Sequence, residues 1–188
     1  MSAEATSNVR VERATEVDLA IVRNLVPYYI YEMSGPMGWS AKLNGTYGGC
    51  DDLAEYWQTW NPLTDPSDRW SNRAWKGYPY LIRVREKLGG FALIRYRPEV
   101  ETYDVGEFFI VKKHQGQGIG RQVAVHLFDS FEGKWEVWQM MGNTPAQKFW
   151  KRVVSDYTNG SFERGEEEHW EAPEVGVVLR FSSAAADP

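Results

Sequence analysis

Two spacings of apolar residues alternate along the chain. Phe108-Phe109-Ile110-Val111 is a short run of aromatic and β-branched residues, the pattern of a largely buried strand. After Gly120 the period changes. Val123, Leu127 and Phe131 recur every four positions and Phe128 widens the stripe, which predicts one buried helix face. Gln115 to Gly120 is therefore a strand-to-helix turn. Upstream, Val9 to Glu12 predicts a first strand. Thr15 then supplies a cap with Asp18 three residues on, and Leu19, Val22, Leu25 and Val26 form the stripe of a first helix. Gly35 to Gly49 reads as a loop, Asp51 to Trp57 as the start of a second helix, and Asn61 to Asp68, with its two prolines, as a further loop. Tyr80 to Val84 and Phe91 to Tyr96 flank Leu88-Gly89-Gly90, which predicts a hairpin with the glycines at its turn, and Thr102 to Val111 is the next strand. Trp135 to Met140 is another strand. Thr144 is the expected cap of a helix that Pro145 opens, and Val175 to Phe181 is the last strand. Residues 182–188 predict a frayed tail. Strands and helices in this order predict an α+β fold.

The glycine turn carries the chemistry. Glycine lets a backbone approach a ligand closely, and the first N–H groups of a helix have no internal partner, so the turn can hold an anion. Spacing separates the phosphate-binding turns. A P-loop would need glycine where Arg121 stands, followed by Lys-Ser/Thr. A dinucleotide turn fits Gly116 and Gly118 but again meets Arg121 at its third glycine. What fits is Gln115-x-x-Gly118-x-Gly120, and after the next strand Asn143-x-x-Ala146-x-x-Phe149-Trp150. In these two segments the chain resembles the GNAT acetyltransferase superfamily, whose members carry Arg/Gln-x-x-Gly-x-Gly/Ala and then Asn-x-x-Ala-x-x-Phe/Leu-Tyr. Trp150 stands where the tyrosine is usual.

The resemblance implies one acetyltransferase domain over 1–188, with the cofactor motifs within about 104–154 and a variable acceptor-binding region at about 32–78. It implies a mixed, mostly antiparallel twisted sheet flanked by helices, with a splayed strand pair holding the cofactor. Gln115, Gly116, Gln117, Gly118, Ile119, Gly120 and Arg121 would grip the pyrophosphate of acetyl-coenzyme A. The backbone of Phe108, Phe109 and Ile110 would pair with the pantetheine arm, and Asn143 would reach the same arm. The acceptor would be a primary amine of a small molecule or peptide. The resemblance also allows for a homodimer.

Composition narrows the setting. With 188 residues, 43% hydrophobic and 14% aromatic, the chain can bury one sizeable core and is short for two domains. No apolar run reaches membrane-spanning length and MSAEATSNVR lacks the apolar stretch of a signal peptide, so a soluble, cytoplasmic protein without a membrane partner is expected. The net charge of -5 disfavours nucleic acid and favours cationic substrates. Cys50 has no cysteine to pair with and reads as a small loop residue. His114, His126 and His169 lack metal-ligand spacing, so no metal is expected. Glu166-Glu167-Glu168 reads as a solvated loop that could attract a cation, and Trp39, Trp57, Trp60, Trp70 and Trp75 crowd the acceptor-side region.

Acylating an amine requires a held thioester, a neutral nucleophile and a stabilised oxyanion. A lysine-like ammonium has a pKa of about 10.4, so on the order of one molecule in a thousand is neutral near pH 7. A carboxylate beside the thioester would help. Glu107 and Asp104 lie on the strand leading into the turn, and ideal alternation puts them on opposite faces; a bulge, common in this strand of the superfamily, would shift the phase. Glu107 is the preferred base and Asp104 its alternative. The superfamily's tyrosine protonates the leaving thiolate, a task Trp150 cannot perform; Tyr157 two turns on is the best-placed replacement, the alternatives being that it only packs at the helix end and that the thiolate leaves to water. An acyl-coenzyme A binding protein without turnover is the alternative that Trp150 raises.

Overall fold

The computed structural model describes residues 9–48, 52–58, 75–170 and 173–184. Among them β1 (Val9–Arg13), β2 (Lys76–Val84), β3 (Lys87–Arg97), β4 (Thr102–Ile110), β5 (Gly133–Met140), β6 (Glu163–Glu168) and β7 (Val175–Ser183) form one sheet, ordered β1-β2-β3-β4-β5-β7-β6. Every neighbouring pair is antiparallel except β4 and β5. Helices α1 (Leu19–Met37), α2 (Ile119–Ser130) and α3 (Thr144–Tyr157) complete an α+β fold.

Strand alternation sorts the core into two layers. Val123, Leu127 and Phe128 of α2 and Trp150, Val153 and Val154 of α3 bury against Ile82, Ile94, Val105 and Trp135 on one face of the sheet. On the other face Val22 and Val26 of α1, with Leu53 and Tyr56, bury against Leu81, Phe91, Leu93 and Phe109. The periodic stripes seen in the sequence supply these contacts, so the two layers follow from the pattern itself.

Several local expectations give way to tertiary context. The first helix does not yield to a loop at Gly35. It continues through Pro27 and Pro36 to Met37 and stops where Gly38 adopts a left-handed φ of 68°, with Trp39 N–H donating to Ser34 O at 2.9 Å. The segment after Asp51 forms a 3-10 turn, Leu53–Trp57, in place of an α-helix. Its path is set by the sheet: a Cβ on Gly77 would lie 2.3 Å from the Tyr56 carbonyl oxygen.

The β2–β3 hairpin turns at Arg85 and Glu86, whose φ values of 49° and 63° make a two-residue primed turn without glycine. Gly89 and Gly90 lie inside β3. Gly90 is needed there because a Cβ would meet Phe109 O at 1.9 Å. Glu163 to Glu168, expected as a loop, is the edge strand β6, where charged side chains discourage further pairing. Asn143, not Thr144, caps α3, and its Oδ1 accepts from Ala146 N at 3.2 Å.

Candidate active site

The parallel pair β4–β5 is registered only at Thr102–Asp104 with Lys134–Glu136. Beyond that, β4 continues to Ile110 and β5 to Met140 without pairing to each other. The strands part, and the edge of β4 from Val105 to Ile110 that faces β5 has no strand beside it among the described residues. Such an edge can hydrogen-bond an extended ligand as an added strand. Phe108, Phe109 and Ile110, whose other edge is taken by Ala92, Phe91 and Gly90, lie along this stretch.

The predicted bulge is present. Leu93 pairs with Glu107 and Ile94 with Val105, so Gly106 is the extra residue on β4. Directly opposed residues share a face, which puts Glu107 with Leu93 and Arg95 on the face that also carries Asp104. Simple alternation would have separated the two acids. Gly106 permits the arrangement because a Cβ there would lie 2.1 Å from the Tyr56 hydroxyl and 3.1 Å from Arg95 Nε.

The two acids differ in surroundings. Asp104 is 4% exposed and accepts from Arg95 Nε at 2.8 Å. Arg97 approaches its other oxygen at 3.5 Å and also bonds Glu136. Arg180 in turn donates to Glu136 at 2.7 Å and to both Glu167 oxygens at 2.6 Å. Burial pushes the Asp104 carboxyl above its usual range, and the Arg95 and Arg97 guanidiniums act against that. Asp104 is thus enclosed in an ion-pair chain crossing the sheet at the point where β4 and β5 separate. Glu107 is half-buried on the parted stretch.

At the end of β4 the glycine turn fits an anion. Gly116 and Gly118 have φ of 71° and 78°, and a Cβ on either would meet nothing within 4 Å. Gly118 caps α2, whose first bond runs from Gln122 N to Gly118 O, so the N–H groups of Ile119, Gly120 and Arg121 have no helical acceptor. Gly120 instead serves packing: its Cβ would sit 3.1 Å from the Phe149 ring. Gln115 ties the turn down, donating to Glu32 of α1 at 2.6 Å and to Ile110 O at 2.8 Å. Gln117 donates to Lys113 O at 2.7 Å, and Arg121 stands 3.6 Å from Asp156 at the surface. Asn143 uses its oxygen for the cap, which leaves its amide N–H groups for another partner.

Tyr157 is remote from the parted strands. It closes the far end of α3, about 10 Å along the helix from Trp150, and its hydroxyl donates to Asp129 at 2.9 Å. Burial first, then the Asp129 bond, pushes it up to about 12. It packs on Phe128 and Phe181. Trp150, 6% exposed, meets Phe108 edge-on at 5.0 Å.

Sequence reasoning missed Arg95, Arg97, Tyr56 and Trp170, which furnish the face around Asp104. Strand alternation applied to β3 would have found the two arginines. Among the described residues no group of His, Cys, Asp and Glu could hold a metal ion, and no helix is long and apolar enough to cross a membrane. Cys50, Trp60 and Trp70 lie outside the described residues. A groove of about 740 Å³ opens at the other end of β5, lined by Lys134, Ser161 and Arg180 among others, away from the glycine turn.

Comparison with known proteins agrees with this layout. No curated protein matches the chain. Among solved structures, an acetyltransferase from Thermus thermophilus superposes with a TM-score of 0.57 at 17% identity, over 93% of this chain and 96% of that one. An aminoglycoside acetyltransferase in complex with coenzyme A gives 0.57 at 14%, over 93% and 94%. The dodecameric spermidine N-acetyltransferase from Vibrio cholerae gives 0.53 at 12%, over 94% and 95%. These superpositions establish a shared fold. The model of the acetyltransferase (GNAT) family matches residues 47–154, more than half of the sequence, and the chain therefore belongs to that family.

Proposed function

We propose that this protein is an N-acetyltransferase that moves the acetyl group of acetyl-coenzyme A to a primary amine of a small molecule or peptide by direct attack. The observation that carries this reading is the parting of β4 and β5 beside an open, left-handed glycine turn at the start of α2. The free N–H groups of that turn suit a pyrophosphate, and the unpaired edge at Phe108, Phe109 and Ile110 suits the amides of a pantetheine arm. The coenzyme A bound to the aminoglycoside acetyltransferase of the same fold supports the assignment.

Glu107 is the proton acceptor in this proposal. It stands on the parted stretch, on the acceptor-side face, and takes the amine proton directly or through a water as the neutral amine attacks the thioester carbonyl. A β4 N–H polarises that carbonyl. Asp104 has no part in proton transfer; it fixes the separation point. Tyr157 is too distant to protonate the thiolate, which leaves to water.

A second reading, an acyl-coenzyme A binding protein without turnover, draws on the burial of Trp150 where the family tyrosine is usual. One pair of measurements separates the readings: calorimetry with coenzyme A, and thiol release from acetyl-coenzyme A with a panel of amines. Binding with amine-dependent thiol release supports the enzyme. Binding without it supports the second reading, and no binding removes both.

A further inference from the structure

The acceptor side of the proposed site differs from what a polycation requires. Besides Glu107, this face carries Asp104, Glu136 and Glu167 near the separation point, and arginines pair with all three. Asp104 is taken by Arg95 and Arg97, Glu136 by Arg97 and Arg180, and Glu167 by Arg180. Positive and negative charges cancel one for one. Of the other acids of β6, Glu166 and Glu168 face away, because Glu166 pairs with Val177, whose side chain belongs to the layer under α2 and α3, while Glu163 lies opposite Arg180 at the outer edge of the sheet. At the separation point a second or third ammonium would therefore leave water to meet carboxylates that arginines already neutralise.

What the face does offer is flat rings. Just after β6 the Trp170 ring stands 4.7 Å from the Arg95 guanidinium and 5.0 Å from that of Arg97. Both arginines belong to β3, four strand spacings or about 19 Å from β6. Trp170 thus lies across the separation point from β6. His169 packs at a tilt on Trp138, ring centroids 4.7 Å apart, beside it, and Tyr56 and Trp75, 4.8 Å apart, bound the opposite side at Gly106. Trp170 is half-buried, and its indole N–H is a buried donor without a partner among the described residues.

Resting on the N-acetyltransferase reading, we infer that the acceptor is a monoamine bearing a flat apolar group, held against Trp170 with its amine toward Glu107, and not a polyamine or aminoglycoside. Stacking and ring-edge contacts reward a planar substituent, and a single charge is neutralised by transfer of its proton to Glu107.

The test compares phenethylamine, tyramine and tryptamine with spermidine and kanamycin as acceptors, reading thiol release from acetyl-coenzyme A by the full-length protein. The expected result is kcat/KM at least about tenfold higher for the aryl amines. Trp170→Leu should raise the aryl-amine KM by roughly tenfold with the acetyl-coenzyme A KM unchanged, while Trp170→Phe restores it to within about threefold. Circular dichroism establishes that each variant is folded, and if Trp170→Leu is not, the comparison of acceptors and Trp170→Phe decides alone. A preference for spermidine or kanamycin overturns the inference and leaves the activity standing, as does a Trp170→Leu KM equal to wild type. Coenzyme A binding with no transfer to any amine overturns the activity reading and the inference together.

Discussion

Gly106→Ala tests whether the bulge is built around Tyr56. The added methyl would lie 2.1 Å from the Tyr56 hydroxyl oxygen, 3.0 Å from its Cζ and 3.1 Å from Arg95 Nε, where an unstrained contact needs about 3.4 Å or more. Relief requires a movement of more than about 1 Å, and Tyr56 has nowhere to go. It is 3% exposed, its ring is 4.8 Å from Trp75, and its backbone is pressed on Gly77. Arg95 is held by Asp104. The cost should fall at the upper end of the overpacking range, about 3 kcal/mol. In a chain of this size that lowers Tm by roughly 6–12 °C. Tyr56→Phe removes the offending oxygen, so the double variant should recover at least about 1 kcal/mol of coupling in a double-mutant cycle measured by urea denaturation. A Gly106→Ala protein with an unchanged urea midpoint would refute the packing argument. Strict additivity of the two substitutions would refute the role given to Tyr56.

Gly118→Asp places a carboxylate and a strained left-handed residue in the turn, and coenzyme A affinity measured by calorimetry should fall at least about tenfold, or ~1.4 kcal/mol; unchanged affinity in a folded variant would remove the turn from the site. Glu107→Gln should lower kcat by roughly 10²–10⁴-fold at neutral pH, with much of the loss recovered as the amine deprotonates at higher pH and with little change in coenzyme A affinity. A pH profile parallel to wild type would exclude Glu107 as the base. Asn143→Ala removes the α3 cap and should cost about 1 kcal/mol of stability in addition to weakening the cofactor; a stability loss alone would make Asn143 purely structural. The raised Tyr157 hydroxyl stays protonated in the fold, so its stabilising contribution is whole below the unfolded value of 10.0 and is lost as pH climbs through about 12. Tyr157→Phe should abolish that alkaline dependence in thermal melts yet leave acetyl transfer at pH 7 within about twofold, whereas a large loss of turnover would return it to the catalytic group.

Most strands and helices were legible because burial enforces periodicity. Val123, Leu127 and Phe128 could only be a helix face, and Phe108 to Ile110 only a buried strand. The glycine turn was legible for a different reason: Gly116 and Gly118 are required by φ, and a backbone requirement is visible residue by residue. Features set by tertiary contact were harder to read. Arg85 and Glu86 carry positive φ without the glycine that usually announces it, which led the eye to Gly89 and Gly90. Those glycines answer to the Phe109 carbonyl on the neighbouring strand. The acidic run of β6 has no apolar alternation, since its partner β7 supplies the buried side chains. The bulge could be anticipated, but its position at Gly106 depends on Tyr56, fifty residues earlier.

The separation of β4 from β5 has a cause on each face of the sheet. On the face that carries Asp104, the last registered pair sets it beside Glu136, two carboxylates that repel unless a cation stands between them. Arg97 contacts both, so the apex of the cleft is fixed by charge. On the other face, Phe108 packs on Phe149 at 5.9 Å and edge-on to Trp150 at 5.0 Å. Rings from α3 therefore occupy the space beneath the parted stretch of β4, and Gly120 lets α2 close on the same Phe149 ring. The bulge adds local twist at the point where pairing ends. Trp150 is thus part of the wedge that holds the cleft open, a task that rewards a large ring. Tyrosine at that position would supply a proton but fill less of the wedge, and the 6% exposure of Trp150 indicates that packing has the stronger claim on the residue.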